Sequence, residues 1–445
     1  MQLRKIGVVL LALLLATMAM VPYVSAEDHV RSTGSIFSMK YLSDSPVGKK
    51  IDQRVPDTIT DYALVTVDPE GFINDADIQK AIECTINGKE YRIQLEPETS
   101  IIAPDAKLLT KTTEGIVETD LPKIKQYKGK ISGVKNGEAF FTVDDKVILA
   151  RFIVDNESYY ISQYGQTDDG KVIHKVYNAK NDLIRKNLPD GNDLMPFSSE
   201  GADIKKIESV ISMERAGTLS STNVGLLAVY DTQFKNTYPS PASEIASMMA
   251  TTNSAFSPSY VGVNLQITTF NWDTTLTSTD RATLMNQLMT SQRSLRDSTN
   301  SDLVFLFSGK EFAGDGIGYS GQYSYGIEEG SAYALAQMVD SGTTYTASSY
   351  QRPILITHEL GHNFGAMHQT LTPGMDGYPC YVPTYARAAT WTSWFTTKYS
   401  AMWSPFQAGT SMSNEFSATD SGHGDSNHRN ALRISLQKGT VAAYQ

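Results

Sequence analysis

Two histidines four residues apart, His358 and His362, enclose Glu359-Leu360-Gly361, and Gly365 and His368 follow. On a helix, residues i and i+4 share a face, so both rings can reach one metal ion. Glu359 then points to the open side of that ion, where a carboxylate can take a proton from water. Gly365, three residues after the second histidine, can adopt the left-handed conformation that ends a helix and reverses the chain. That reversal would bring His368 back as a third ligand. Three protein ligands with a fourth position free is the arrangement of a catalytic zinc (Zn2+), not a structural one. The shorter His-Glu-x-x-His pattern also occurs on ordinary helices with surface histidines, but the added glycine and histidine at set spacings argue against that reading.

Such a site needs a rigid support. Pro353 suits the start of the helix carrying the histidines, and Ile354, Leu355, Ile356, Leu360 and Phe364 supply its buried side. Upstream, residues 224–230 read as a buried strand, 241–255 as a helix opened by Ser240 and Pro241, and 261–270 as an alternating strand. Residues 278–296 follow as an amphipathic helix with Leu284, Leu288 and Leu295 on one side and Thr279 and Asp280 near its start. Residues 303–307 form a short apolar strand. Strand–helix–strand–helix–strand predicts an α/β (α+β) domain: a mixed, mostly parallel sheet with the active-site helix packed on it. The Gly-rich run Gly314-Asp315-Gly316-Ile317-Gly318 fits neither nucleotide fingerprint. Further on, Tyr399-Ser400-Ala401-Met402-Trp403-Ser404-Pro405 offers a methionine in a tight loop.

The N-terminal half has a different pattern. Short alternating segments are separated by turn residues: Asn87-Gly88, Asn136-Gly137, Asp144-Asp145, Asn156-Glu157 and Asp169-Gly170. Regular strand spacing of this kind predicts an antiparallel β domain. The chain therefore divides into 1–26, a β-rich segment over 27–180, a polar linker over 181–220 with Arg215 as one candidate processing site, and the α/β domain over 221–445.

His358-Glu359-x-x-His362-x-x-Gly365-x-x-His368 resembles the zinc site of the metzincin endopeptidases. Other features are similar to the adamalysin/reprolysin branch. Tyr127-Lys128-Gly129-Lys130-Ile131-Ser132-Gly133 and Asn156-Glu157-Ser158-Tyr159-Tyr160-Ile161 look like a reprolysin-type propeptide. The resemblance implies a zinc metalloendopeptidase made as a latent precursor, acting on protein or peptide substrates, with its own propeptide as intramolecular inhibitor. A permanent β accessory domain is the alternative for that segment. The resemblance also implies that the stretch around Gly318 runs through an edge strand where substrate backbone pairs. Met402 would be an apolar floor beneath the zinc, with Met412 as its rival, and an apolar side chain is expected after the cleaved bond. The chain departs from the branch in carrying Gln369 where Asp is usual after the third histidine. It also lacks the branch's internal disulfides. A catalytically silent binding module on the same scaffold is the competing function; Glu359 speaks against it, because a binding shell has no need of a general base. Calcium enters only by analogy, without a ligand pattern.

The address is written at the start. Arg4 and Lys5 precede an apolar run over 6–21, and Val24-Ser25-Ala26 offers small residues before Glu27, so a signal peptide cleaved after Ala26 and a secreted product are expected. The alternative is an uncleaved N-terminal anchor. With 445 residues, 41% hydrophobic and 19% charged, the chain has an ordinary globular composition. A net charge of −10 argues against nucleic acid and anionic membrane as partners. The two cysteines, Cys84 and Cys380, could pair, could stay as unpaired or otherwise buried thiols, or Cys84 could serve as a thiolate switch on the zinc. His423 and His428, with Asp420 or Asp425, are a candidate second metal site.

Overall fold

The computed structural model describes residues 40–41, 59, 61–86, 89–181, 221–313, 317–320, 332–339, 348–369, 385–393, 396–404, 407 and 411–444. The apolar leader, Asn87-Gly88, Arg215, Gly314 to Gly316 and Cys380 lie outside the described residues.

In chain order the first elements are β1 (Lys40–Tyr41), β2 (Tyr62–Thr66), helix α1 (Pro69–Gln79), β3 (Ala81–Ile86), β4 (Lys89–Pro97), β5 (Ile102–Thr112) and β6 (Gly115–Thr119). Then come β7 (Lys125–Ile131), β8 (Glu138–Val143), β9 (Ile148–Val154), β10 (Glu157–Gln166) and β11 (Val172–Asn178). From residue 221 on follow β12 (Thr222–Tyr230), α2 (Thr232–Thr237), α3 (Pro241–Phe256), β13 (Val263–Asp273), α4 (Arg281–Ser298) and β14 (Leu303–Ser308). The last are β15 (Gly318–Ser320), β16 (Tyr333–Gln337), α5 (Gln351–Asn363), β17 (Thr390–Ser393), β18 (Thr396–Tyr399) and α6 (Asn430–Val441). They form two compact units.

The first unit comprises Met1–Glu98, Pro122–Leu183 and Tyr238–Ser247. It is built on a nine-stranded sheet of order β1-β2-β11-β10-β9-β8-β7-β4-β3. Each of its strand pairs is antiparallel. Alternation sets its faces: on β4, Tyr91, Ile93 and Leu95 are buried while the residues between them are exposed. Phe72 and Ala76 of α1 share a core with Ile93, Phe141 and Phe152. The alternating pattern does not announce α1, whose apolar stripe is narrow. The local chemistry does: Asp68 caps it by accepting from the Gly71 N–H at 3.0 Å, and proline stands at its start.

The second unit comprises Thr99–Leu121, Ile184–Thr237 and Met248–Gln445. Its seven-stranded sheet runs β15-β16-β14-β12-β13-β5-β6. Strands β16, β14, β12, β13 and β5 are parallel, whereas β15 and β6 are antiparallel to their neighbours. The fold is therefore mixed α/β. β14 is buried at every residue, as expected of a central parallel strand covered on both faces. Asp280 caps α4, accepting from the Thr283 N–H at 2.8 Å, and Leu284, Leu288 and Leu295 form its buried side. At the carboxyl ends of β12 and β14, buried Asp231 accepts from the Lys310 ammonium at 2.9 Å, the Ser308 hydroxyl at 2.6 Å and the Gly309 N–H at 3.0 Å. Those bonds compensate two charges that would otherwise be costly to bury.

Candidate metal centre

Helix α5 begins two residues before Pro353 and is buried along its whole length. It ends where the glycine requires. Gly365 has φ +81°, its N–H donates to the His362 carbonyl at 2.8 Å, and the Ala366 N–H donates to the Gly361 carbonyl at 3.0 Å. This pair of reversed bonds is the Schellman arrangement, which glycine enters without a Cβ penalty. The chain then returns beneath the helix, and the Met367 N–H donates to the Ala386 carbonyl at 2.9 Å.

The reversal brings the three histidines together. The Nε2 atoms of His358 and His362 are 3.2 Å apart, and each lies 3.1 Å from Nε2 of His368. All three rings are buried. His358 directs Nδ1 at the Ala401 carbonyl (2.7 Å) and His362 directs Nδ1 at the Ala366 carbonyl (2.9 Å). A carbonyl can only accept, so both rings carry their proton on Nδ1 and present bare Nε2 lone pairs to the same point. Facing lone pairs at this range need a cation between them. Ligands about 2.0 Å from a tetrahedral metal stand about 3.3 Å apart, close to the spacing found. The residues fit zinc.

Glu359, also buried, lies on the turn between the first two histidines. Its Oε2 accepts a hydrogen bond from Ser320 Oγ at 2.9 Å. A Cβ on Gly318 would overlap Glu359 Oε1, so only glycine leaves room for the carboxylate there. Both residues lie on β15, which pairs antiparallel with β16 at Gly318–Ala336, Tyr319–Leu335 and Ser320–Ala334 and ends the sheet among the described residues. Arg281, in the first turn of α4, donates from its guanidinium to the Gly318 carbonyl at 2.7 Å, and the Gln337 N–H donates to the Ile317 carbonyl at 2.8 Å.

Residues 220–417 match the family model Reprolysin_5, described as Metallo-peptidase family M12. That match supports a peptidase. No curated protein matches the chain. Among solved structures, the chain is similar to the metalloproteinase-II of Bacteroides fragilis at 10% identity and a TM-score of 0.41, covering 77% of this chain and 89% of that one. It is also similar to a chain in a structure of a chaperone-substrate complex at 14% identity and a TM-score of 0.37, where it spans 51% of its own length and 36% of the other's.

Beneath the histidines, the turn at Met402 is closed by a Trp403 N–H to Ser400 carbonyl bond of 2.9 Å. Met402 is fully buried, and a Cβ on Gly361 would collide with its sulfur. Met412, the rival, instead lies where its backbone bridges Tyr399. The departure at Gln369 has a local explanation. Its amide nitrogen donates to the Ser404 carbonyl, and its oxygen accepts from the Ser404 N–H at 3.1 Å. An amide can do both, so Gln369 ties the third histidine to the methionine turn; a carboxylate could make only the second bond.

The second candidate set forms no group of three ligands among the described residues. His423 pairs through Nδ1 with Glu415 Oε2 at 2.6 Å and stacks on Trp391, whereas His428 takes Asp425 at 2.8 Å. Among the described residues, His358, His362 and His368 are the only group of three or more metal-ligating side chains. Cys84 is a free thiol packed against the core of the first unit, and burial pushes its pKa up to about 12. That opposes formation of the thiolate a zinc switch needs. Sequence reasoning did not find Ser320 or Arg281. Neither stands in a motif, and each acts on a residue far away in the chain.

Proposed function

We propose that the chain is a zinc-dependent metalloendopeptidase of the metzincin type, in the reprolysin-like branch. The observation that carries this reading is the convergence of three buried Nε2 atoms beside a carboxylate held from an edge strand. His358, His362 and His368 would hold the metal. A zinc ion there would supply a Lewis acid that acidifies water and polarises a carbonyl oxygen.

The residues do the rest. Glu359 accepts the proton of the attacking water and later gives it to the leaving amine. Ser320 holds Oε2 of Glu359, and Oε1 lies beside Gly318, so the carboxylate is set between the edge strand and the helix. The carbonyl hydrogen bonds from His358 and His362 fix both rings before metal arrives, so little reorganisation accompanies binding. An extended peptide would add as a further strand along β15, with backbone hydrogen bonds holding it across the site. Met402 supplies an apolar floor and excludes water from below.

The reading extends to a secreted protein made as a latent precursor, supported by the Arg4-Lys5 start, the apolar run over 6–21 and the propeptide-like segments. Among the described residues, no helix is long and apolar enough to cross a membrane.

The test is casein cleavage by the purified protein, after cutting within residues 182–220, beside Glu359→Ala and a chelator-treated sample. Cleavage that disappears in both controls and returns with zinc supports the proposal. Zinc bound at one equivalent, with no cleavage of casein or of a peptide library either after that cut or after the N-terminal fragment has been digested with a second protease, sinks it in favour of a binding module.

A further inference from the structure

The second unit contains a hairpin from the N-terminal half of the sequence. β5 runs parallel to β13, pairing Ile267 with Ile102 and then Thr269 to Asp273 with Lys107 to Lys111. The Ile267 N–H donates to the Ile101 carbonyl at 2.8 Å, and the Thr274 N–H donates to the Lys111 carbonyl at 3.0 Å. Thr274 Oγ1 reinforces the latter bond at 3.1 Å, and the Lys111 ammonium reaches the Ser291 carbonyl. Ile101, Ala103 and Leu109 are buried. The stretch matched to the metallopeptidase family, 220–417, thus supplies only β12 to β16 of this sheet; β5 and β6 come from outside it.

The first unit shows the converse. It contains Tyr238–Ser247, the start of α3 and the residues before it. Buried Asp144 accepts from the hydroxyls of Ser240 and Ser243, the latter at 2.5 Å. Gln163 brackets Ser240, accepting from its N–H at 2.8 Å and donating to its carbonyl at 3.0 Å, and also donates to Glu244 at 2.8 Å. Gln126 donates to the Ala246 carbonyl at 3.1 Å. Each unit therefore contains a segment of the sequence that makes up most of the other.

We propose that cutting the chain between residues 182 and 220 does not release the N-terminal fragment, which stays bound to the C-terminal one. It is held as two strands of the sheet that carries the metal site and as the polar socket for residues 238–247. A cut there breaks none of the strand pairs and none of the hydrogen bonds formed among the described residues. It removes the covalent connection, whose contribution is an effective concentration. Loss of β5 would also leave a full row of β13 backbone groups without partners. If the fragment holds the protease latent, activation then needs a second event that displaces or digests the hairpin. The inference concerns association, and it stands whether or not the histidine site is catalytic.

The test uses the full chain with Glu359→Ala, so that self-digestion cannot intervene, and a site-specific protease sequence flanked by Gly and Ser inserted between 182 and 220. After cutting, size-exclusion chromatography in native buffer should give one peak of unchanged volume containing both fragments, separating only in denaturant. Amide exchange at Ile267 and Thr274 should stay as slow as in the uncut protein. Leu109→Asp combined with Gln163→Ala, cut in the same way, should release the fragment. If that variant does not fold, the parent protein alone decides. A separate N-terminal peak from the parent in native buffer, or exchange at Ile267 and Thr274 rising to the rate of exposed amides, overturns the proposal.

Discussion

Ser320 Oγ lies 2.9 Å from Glu359 Oε2, across from the edge strand of the sheet to the helix that carries the histidines. Both side chains are buried, so this bond fixes the carboxylate where no water competes for it. Ser320→Ala removes the donor without adding bulk. Its expected effect is a fall in kcat on the order of tenfold, the scale of one hydrogen bond to a charged group, with KM and zinc content unchanged. Steady-state kinetics with metal analysis checks this. A change in KM alone would show that Ser320 serves substrate binding instead.

Gly318→Ala is a harsher change. The new methyl would occupy the place of Glu359 Oε1, and the strand cannot retreat, because Arg281 and β16 hold it. The carboxylate must rotate away. A misplacement of about 1 Å can cost on the order of a hundredfold in rate, so activity should drop by that much while circular dichroism and zinc content match the parent. Loss of zinc in this variant would mean that the strand, not the carboxylate, had moved.

Met402 tests the floor of the site. Met402→Leu conserves volume and should cost less than about 1.5 kcal/mol. Met402→Ala leaves a cavity against Gly361 and should cost about 2–5 kcal/mol. If the methionine only fills space, both variants keep one zinc per chain at saturating metal, and the alanine variant alone melts earlier. Calorimetry with and without zinc separates the two effects.

The site was more legible than the fold. Ligand spacing on a helix and a glycine that reverses the chain are local matters, so His358, His362, Gly365 and His368 could be placed together from spacing alone. The strand–helix alternation after Val224 likewise announced a parallel sheet, because each element buries a face of its own period. The course of β5 was not announced. Its pairing with β13 joins Leu108 to Phe270, more than 150 residues apart, and nothing in the composition of residues 102–112 distinguishes one sheet from the other. The position of Ser320 was hidden for the same reason: its partner Glu359 is brought to it by the pairing of β15 with β16 and the packing of α5. By contrast, α1 had a visible signal in Asp68-Pro69-Glu70, a cap followed by proline, outweighed by the strand alternation around it.

His174 sets a pH limit on the first unit. It is fully buried on β11, and the Ile148 N–H donates to its Nε2 at 3.3 Å, so the ring is neutral with its proton on Nδ1. Burial pulls its pKa down from 6.5 to about 4, partly offset by the Val172 backbone and the charge of Asp144. The unfolded chain binds a proton at about 6.5 and the folded chain does not, so the stabilisation is complete above that pH and is lost as pH falls toward 4. A shift of this size corresponds to about 3 kcal/mol between the two limits. Asp77, whose carboxyl is held below its usual value by hydrogen bonds from Lys125 and Tyr127, loses its contribution in a lower window, below pH about 4. The two can therefore be separated. His174→Gln offers an amide oxygen to the Ile148 N–H and cannot titrate. Urea unfolding at pH 7.5 and pH 5 should show a marked loss of stability in the parent and a much smaller one in the variant. Equal losses in both would place the acid sensitivity elsewhere.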